Sequence, residues 1–297
     1  MTRDWLLDWV FPSLAHIPTT LPWWLAAKIG RERGAERRHL LRWLESRFAQ
    51  IFPQASSSDH AHWARAHLDM LAQEMMDAMA FHRLGRPGGP SIDVAGLGHV
   101  QRLREQGQGF ILVLNHFDRQ LAAPVALAHQ GIHTHVLTMP VLDNPELDGA
   151  QRRFLLRKVR GYAEVTGGNW RTTNEGLAPV LEGLRAGQGW VIWADAWQPG
   201  FKRLRQHPFL GGRLTLTTGI ERMAGFTNVP LLYAATYSGG SARLRVAVEP
   251  LPPEPRLAIN AVVARLERDV RERPWAWWCW GQWDQMWSPP TEGGELA

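Results

Sequence analysis

The stretch Phe110-Ile-Leu-Val-Leu-Asn-His-Phe-Asp-Arg-Gln-Leu121 decides the fold. Its first five residues are an unbroken apolar run, too short for an ordinary helix, and they read as a strand buried on both faces. A polar cluster, residues 115–120, follows at once, and a helix follows that. Open α/β sheets place their sites just past the carboxyl ends of their strands, so the cluster is the first place to look for chemistry.

Outward from this run the pattern repeats. Residues 133–139, 190–194 and 230–237 read as further buried strands, and Leu244, Val246 and Val248 alternate as in a half-exposed one. Residues 148–159, 175–186 and 217–225 read as the helices between them, and Ile259, Val262, Val263, Leu266 and Val270 mark a long C-terminal helix. This alternation predicts an α/β class with a mixed central sheet flanked by helices. Upstream, residues 35–51 form an amphipathic pattern stopped by Pro53. A second helix, with Ser58 as N-cap, carries Leu68, Leu71, Met75 and Met79 toward Leu84. Residues 86–90, Arg-Pro-Gly-Gly-Pro, are a loop.

The 297 residues suffice for one large domain, assigned here to residues 31–289, with residues 290–297 as a disordered tail. Hydrophobic residues at 45% and charged residues at 21% exclude general disorder. The single cysteine, Cys279, excludes an internal disulfide and a cysteine metal cage, and it fits a reducing compartment. Sixteen Trp against 3 Tyr tilt the reading toward a membrane surface, because an indole joins an apolar body to a polar N–H. Residues 9–27 carry no charge, but Pro12, Pro18 and Pro22 break any spanning helix. Residues 1–30 are therefore expected to form an interfacial, membrane-associating helical segment with Trp23 and Trp24 as anchors.

The net charge is +5, with arginines grouped at 31, 33, 37, 38 and 42 and basic residues again at 152, 153, 157, 158 and 160. Such groups suit anionic headgroups, an acidic carrier protein or nucleic acid, although each arginine singly reads as part of a solvated helix face. No nucleic-acid motif accompanies them, and a nucleic-acid partner is not expected. His60-x-His62 falls on a helix, where such positions diverge, and His133-x-His135 lacks a third ligand. No metal site is assigned.

Transfer of a group to a hydroxyl or amine needs a base, and a neutral imidazole is the usual choice near pH 7. A carboxylate that holds the ring completes a dyad. His116 and Asp118 supply both residue types within three positions. A lone histidine more often caps a helix or satisfies the backbone; the Asn-His-Phe-Asp context shifts the balance here.

The strand followed by Asn115-His116 resembles the signature of the lysophospholipid (glycerolipid) acyltransferase superfamily, in particular the lipid A late (lauroyl/myristoyl) acyltransferases. Other stretches agree in order: the Ile51-Phe-Pro53 end of a helix, Gly183-Leu-Arg-Ala-Gly187 before residues 190–195, Pro208-Phe-Leu-Gly-Gly212, Thr217-Thr-Gly219, Asn228-Val-Pro230 and the Trp-rich residues 275–287. The resemblance implies an α/β acyltransferase fold and transfer of a fatty acyl group from a thioester, on acyl carrier protein or coenzyme A. The acceptor would be a hydroxyl or amine of a lipid, a lipid A-like molecule or a specialised metabolite, at the cytoplasmic face of the inner membrane. No cofactor is implied.

On that resemblance His116 is the general base and Asn115 contributes to substrate binding; Arg119, Arg160 and Arg213, as charged donors, suit phosphate groups of the acceptor or of the carrier's pantetheine arm, and each reads equally as a structural surface arginine. One departure stands out. The family carries an acid five residues after the histidine, and this chain has Leu121. Asp118 orients His116, or Asp195 does, or the histidine works alone. A relative that binds lipid or acyl carrier protein without turnover is the alternative.

Overall fold

A computed structural model of the chain describes residues 5–31 and 34–290, with side chains at 5–30 and 38–290. The strands among them are β1 (Ser91–Ala95), β2 (Phe110–Leu114), β3 (Thr134–Thr138), β4 (Trp170–Thr172), β5 (Gly189–Trp193), β6 (Leu204–Phe209), β7 (Gly212–Thr217), β8 (Leu231–Ser238), β9 (Arg243–Pro250) and β10 (Trp287–Ser288). One sheet has the order β1-β9-β8-β2-β5-β3-β4 and the other β10-β7-β6. In the large sheet β8, β2, β5, β3 and β4 are parallel, whereas β9 runs antiparallel to β8 and carries β1 parallel to itself. The mixed α/β layering expected from the sequence is the observed one.

β2 lies in the middle, buried along its whole length. Phe110, Leu112 and Leu114 point into one core and Ile111 and Val113 into the other. That is why it reads as a continuous apolar run: a strand covered on both faces has no solvent side on which to place polar residues. Each such Leu or Ile contributes about 1.5–3 kcal/mol by leaving water. One face is covered by the helices Ala178–Arg185, Gly219–Thr227 and Pro255–Glu272. Helices Ala122–His129 and Gly149–Thr166 and the N-terminal segment cover the other.

Several boundaries differ from the sequence expectation, each for a local reason. The second helix is Ser57–Met79, capped by Ser56 rather than Ser58, with Asp59 completing a reciprocal capping box. It ends at Met79 because Ala80 leaves helical geometry, and Phe81–Arg83 make one tight turn. Glu175 caps backward onto Thr172, so the following helix starts only at Ala178. The stretch around Gly211 is the turn of a β6–β7 hairpin, with Leu210 and Gly211 both at positive φ, the backbone that such two-residue turns demand.

The N-terminal segment is broken where its prolines predict. Phe11–Ala15 and Leu21–Arg31 are separate helices with Pro12 and Pro22 near their starts. No helix among the described residues is long and apolar enough to cross a membrane. Trp23, expected as an interfacial anchor, is instead fully buried, and its indole donates to Asp77 Oδ1 at 2.6 Å. Trp24 is exposed, as are Trp5, Trp9 and Leu21. The remaining tryptophans are buried or half-buried, and Trp277, Trp280 and Trp283 form an aromatic core near the C-terminus. Most of the unusual Trp content is thus packing rather than interface. Arg38 and Arg42 lie on an exposed helix face. The side chains of Arg31, Arg33 and Arg37, and residues 291–297 of the expected tail, lie outside the described residues.

Candidate active site

β2 and β5 are parallel neighbours, with Leu114 opposite Trp193. Two residues beyond each partner, at the carboxyl edge of the sheet, stand His116 and Asp195. The register itself therefore brings them together across 79 positions of sequence. His116 Nδ1 donates to Asp195 Oδ1 at 2.8 Å. The His116 backbone N–H also points between the two carboxylate oxygens, at 2.9 and 3.0 Å. A ring that donates from Nδ1 leaves Nε2 as the free basic nitrogen. The imidazole is partly exposed, while Asp195 is fully buried.

The C-terminal aromatic segment closes over this pair. Trp277 Nε1 donates to Asp195 Oδ2 at 2.9 Å, and the Trp278 backbone N–H donates to His116 O at 2.9 Å. Cys279 Sγ lies 3.8 Å from Asp195 Oδ2, and burial next to that carboxylate pushes the thiol well above its ordinary range. Nδ1 of His116, the Asp195 carboxylate and Cys279 Sγ all lie within 4.8 Å of one another. N–H donors from His116 and Trp277 already occupy the carboxylate and oppose a cation there, so the trio reads as hydrogen-bonded rather than metal-ligating. Elsewhere, the ring of His60 bonds the Phe52 carbonyl and that of His133 the Thr166 carbonyl.

Asp118 does not reach His116. Its backbone is in the left-handed region, φ 51°, and turns the side chain away from the imidazole. Its carboxylate accepts from Ser238 N at 2.7 Å, Ser238 Oγ at 2.9 Å, Arg119 N at 2.9 Å and Arg273 Nη1 at 3.3 Å. Among the carboxylates weighed from sequence, the imidazole's partner is Asp195. Leu121, at the position where the family carries an acid, is buried in the core.

Arg119, expected to hold a phosphate, is fully buried and paired with Asp77 through Nε, at 2.6 Å, and Nη2. A guanidinium enclosed in this way ties the loop to the Ser57–Met79 helix and faces no open cavity. Asn115 is buried too, and its amide donates to the Tyr233 hydroxyl at 3.1 Å. Burial pushes that phenol well up, so Tyr233 stays neutral. Arg160 is exposed in a neighbouring cleft that shares Val159 and Trp170 with the histidine's surroundings. Arg213 lies in the β6–β7–β10 sheet, outside both cavities that His116 lines.

Those two cavities meet at the imidazole, and Thr138, Val141 and Trp193 line both. The first, of about 180 Å³, is apolar, with walls from Leu137, Met139, Ile192, Phe201, Ile220 and Met223. The second, of about 120 Å³, adds Gln120, Lys158, Trp170 and Trp278. Trp193 stacks on the imidazole with centroids 5.8 Å apart and donates its indole N–H to Gln120. Lys158 pairs with buried Glu74 and sits over the Trp278 ring. Sequence reasoning gave Lys158, Gln120, Trp193, Trp277 and Trp278 no role at this site, although Gln120 lay in the polar cluster 115–120, Lys158 in a basic group, Trp193 in the apolar run before Asp195, and Trp277 and Trp278 in the Trp-rich stretch 275–287.

The arrangement is a carboxylate-held imidazole between an apolar cavity and a mixed one, which suits proton removal beside an apolar group. No curated protein matches the chain by sequence. Residues 2–283, nearly the whole length and both halves of the dyad, match the family of bacterial lipid A biosynthesis acyltransferases, and to that acyltransferase family the chain belongs.

Proposed function

We propose that the protein moves a fatty acyl group from a thioester, on acyl carrier protein or coenzyme A, to a hydroxyl or amine of a lipid acceptor, with His116 as general base. The observation that carries this reading is His116 Nδ1 against Asp195 at 2.8 Å with the ring lining two cavities of different character. The acyl chain occupies the apolar cavity and the acceptor enters through the other. Nε2 of His116 takes the proton as the acceptor oxygen or nitrogen attacks the thioester carbonyl. Asp195 stabilises the imidazolium so formed. Lys158, the cation lining the acceptor-side cavity, offsets the charge that develops on the carbonyl oxygen. The proton then passes from His116 to the departing thiolate.

The family is membrane-associated, and the exposed Trp5, Trp9, Leu21 and Trp24 support a peripheral docking of the N-terminal segment at the cytoplasmic face of the inner membrane. The reading as an inert lipid or carrier binder drew on the missing acid at position 121; Asp195 beside His116 favours turnover instead. The test uses lauroyl-acyl carrier protein and lauroyl-coenzyme A with a lipid A precursor or a lysophospholipid as acceptor. His116→Ala is expected to lower transfer by roughly 10²–10⁴-fold while the protein stays folded. Transfer at near-native rate in that variant would sink the assignment.

A further inference from the structure

Asp195 is enclosed by donors from two directions. On one side are the ring and main-chain N–H groups of His116, at 2.8 to 3.0 Å. Opposite them, 82 residues away in sequence, the indole of Trp277 reaches Oδ2 at 2.9 Å. An ionised carboxylate offers about four lone-pair directions, and the His116 contacts, though they touch both oxygens, come from one residue on one side. The Trp277 contact on Oδ2 closes the opposite side and holds Oδ1 facing Nδ1.

The Trp277 ring has no latitude of its own. It is fully buried and meets Trp280 edge-on at 4.8 Å, Phe209 at 5.4 Å and Trp283 at 6.3 Å. Its backbone bridges antiparallel to Phe117, the residue after the histidine. Packing alone would be served by any large ring, and Trp280 provides the contrast. It is equally buried, but its N–H goes to the Pro274 carbonyl at 2.9 Å, away from the dyad.

We infer that Trp277 is a positioning residue of the transfer site: its indole N–H fixes the rotation of Asp195 and with it the orientation of the His116 ring. This rests on the reading of His116 as the base. It adds that the dyad is in effect a triad whose third member lies in the C-terminal aromatic segment. The N–H also draws charge from the carboxylate, so that Asp195 orients the imidazolium without over-stabilising it. Removal of that donor leaves more negative charge facing the ring and strengthens its protonated form.

The test compares Trp277→Phe with Trp280→Phe, and both with replacement of the Trp277 indole by benzothiophene, which keeps the bicyclic shape and lacks the N–H. Losing the N–H at 277 is expected to lower kcat by roughly 10-fold or more with KM within about two-fold, and to move the acid limb of kcat/KM to higher pH. Trp280→Phe is expected to leave that limb in place. The His116 Nδ1 proton, followed by NMR, is expected to exchange faster in the benzothiophene protein than in the native one. An unchanged acid limb and an unchanged Nδ1 proton in the benzothiophene protein would overturn the inference, as would the same shift in Trp280→Phe. The NMR readout does not depend on turnover, so it separates this failure from retention of transfer in His116→Ala, which would remove the base itself. Should Trp277→Phe fail to fold, the benzothiophene protein carries the test alone.

Discussion

Asp118 and Asp195 are both wholly buried and both close around the same histidine loop, yet only one touches the imidazole. Asp118 is the nearer in sequence and spends its oxygens on Ser238, Arg119 and Arg273, stitching the loop to the end of β8 and to the C-terminal segment. Asp195 is distant in sequence and faces the ring because two parallel strands end level with one another. Proximity along the chain fixes which side chains share a turn. Strand register fixes which can cooperate in chemistry. The buried carboxylate that resembles half of a dyad is a fastening, and the one that serves the ring belongs to the neighbouring strand.

The sharpest way to break this contrast is Asp195→Asn. It keeps the shape but sets an NH2 among the N–H donors of His116 and Trp277, and transfer per folded molecule is expected to fall by roughly 10²–10⁴-fold. If activity survives while Asp118→Asn abolishes it, the two roles have been assigned the wrong way round.

Asp118→Ala is expected to act mainly on stability. It removes the carboxylate partner of Arg273, whose side chain is 20% exposed and keeps its bond to the Ser238 carbonyl, and leaves two main-chain donors without an acceptor. It also places alanine in left-handed backbone. Breaking a buried pair costs about 3–5 kcal/mol, and partial exposure of the arginine points to the lower end, about 3 kcal/mol. Urea titration measures this, and kcat per folded molecule is expected to stay within about 10-fold of native.

A smaller effect sharpens the comparison from outside, because both aspartates depend on the segment that His67 anchors. His67 Nδ1 donates to the Trp275 carbonyl at 2.8 Å, and burial lowers the ring from 6.5 to about 4. A depressed histidine is neutral when folded and takes up a proton more readily once unfolded. Stability from the neutral ring is therefore complete above about pH 6.5 and is lost as pH falls toward 4. At about 1.36 kcal/mol per unit the loss approaches 3 kcal/mol across that window. His67→Asn, which keeps a donor and cannot titrate, is expected to flatten the pH dependence of the urea midpoint there. An unaltered slope would show that other groups carry it.

The central strands were legible because residues 110–114, 190–194 and 230–237 are apolar runs with few polar breaks. The edge strands were not. β1 alternates exposed and half-buried positions around Ser91 and Asp93, and β4 has three half-buried residues, which leave little pattern to read. β6 contains His207 and Pro208 and looks like loop until β7 pairs with it. At the site, Asn115-His116 was plain in the sequence, and Asp195 was weighed as its partner beside Asp118 with nothing local to choose between them. A histidine's neighbours on adjacent strands depend on sheet order, and nothing local to residues 115–120 encodes that β5 lies beside β2. Arg119 shows the reverse error: an arginine in a polar cluster suggests a ligand, but Asp77, 42 residues upstream, already holds it. Trp23 fails for the same reason, since the same aspartate takes its N–H.

The segment that closes the site, residues 274–280, emerges from the ribosome after every strand of the large sheet. Until it arrives, the Asp118 main chain lacks the Ala276 carbonyl, the His116 carbonyl lacks the Trp278 N–H, and Asp195 lacks one of its donors. The strands and the histidine therefore precede, in order of synthesis, the segment that sets the histidine loop. The order of synthesis is thus also the order in which the supports of the histidine and its carboxylate can form.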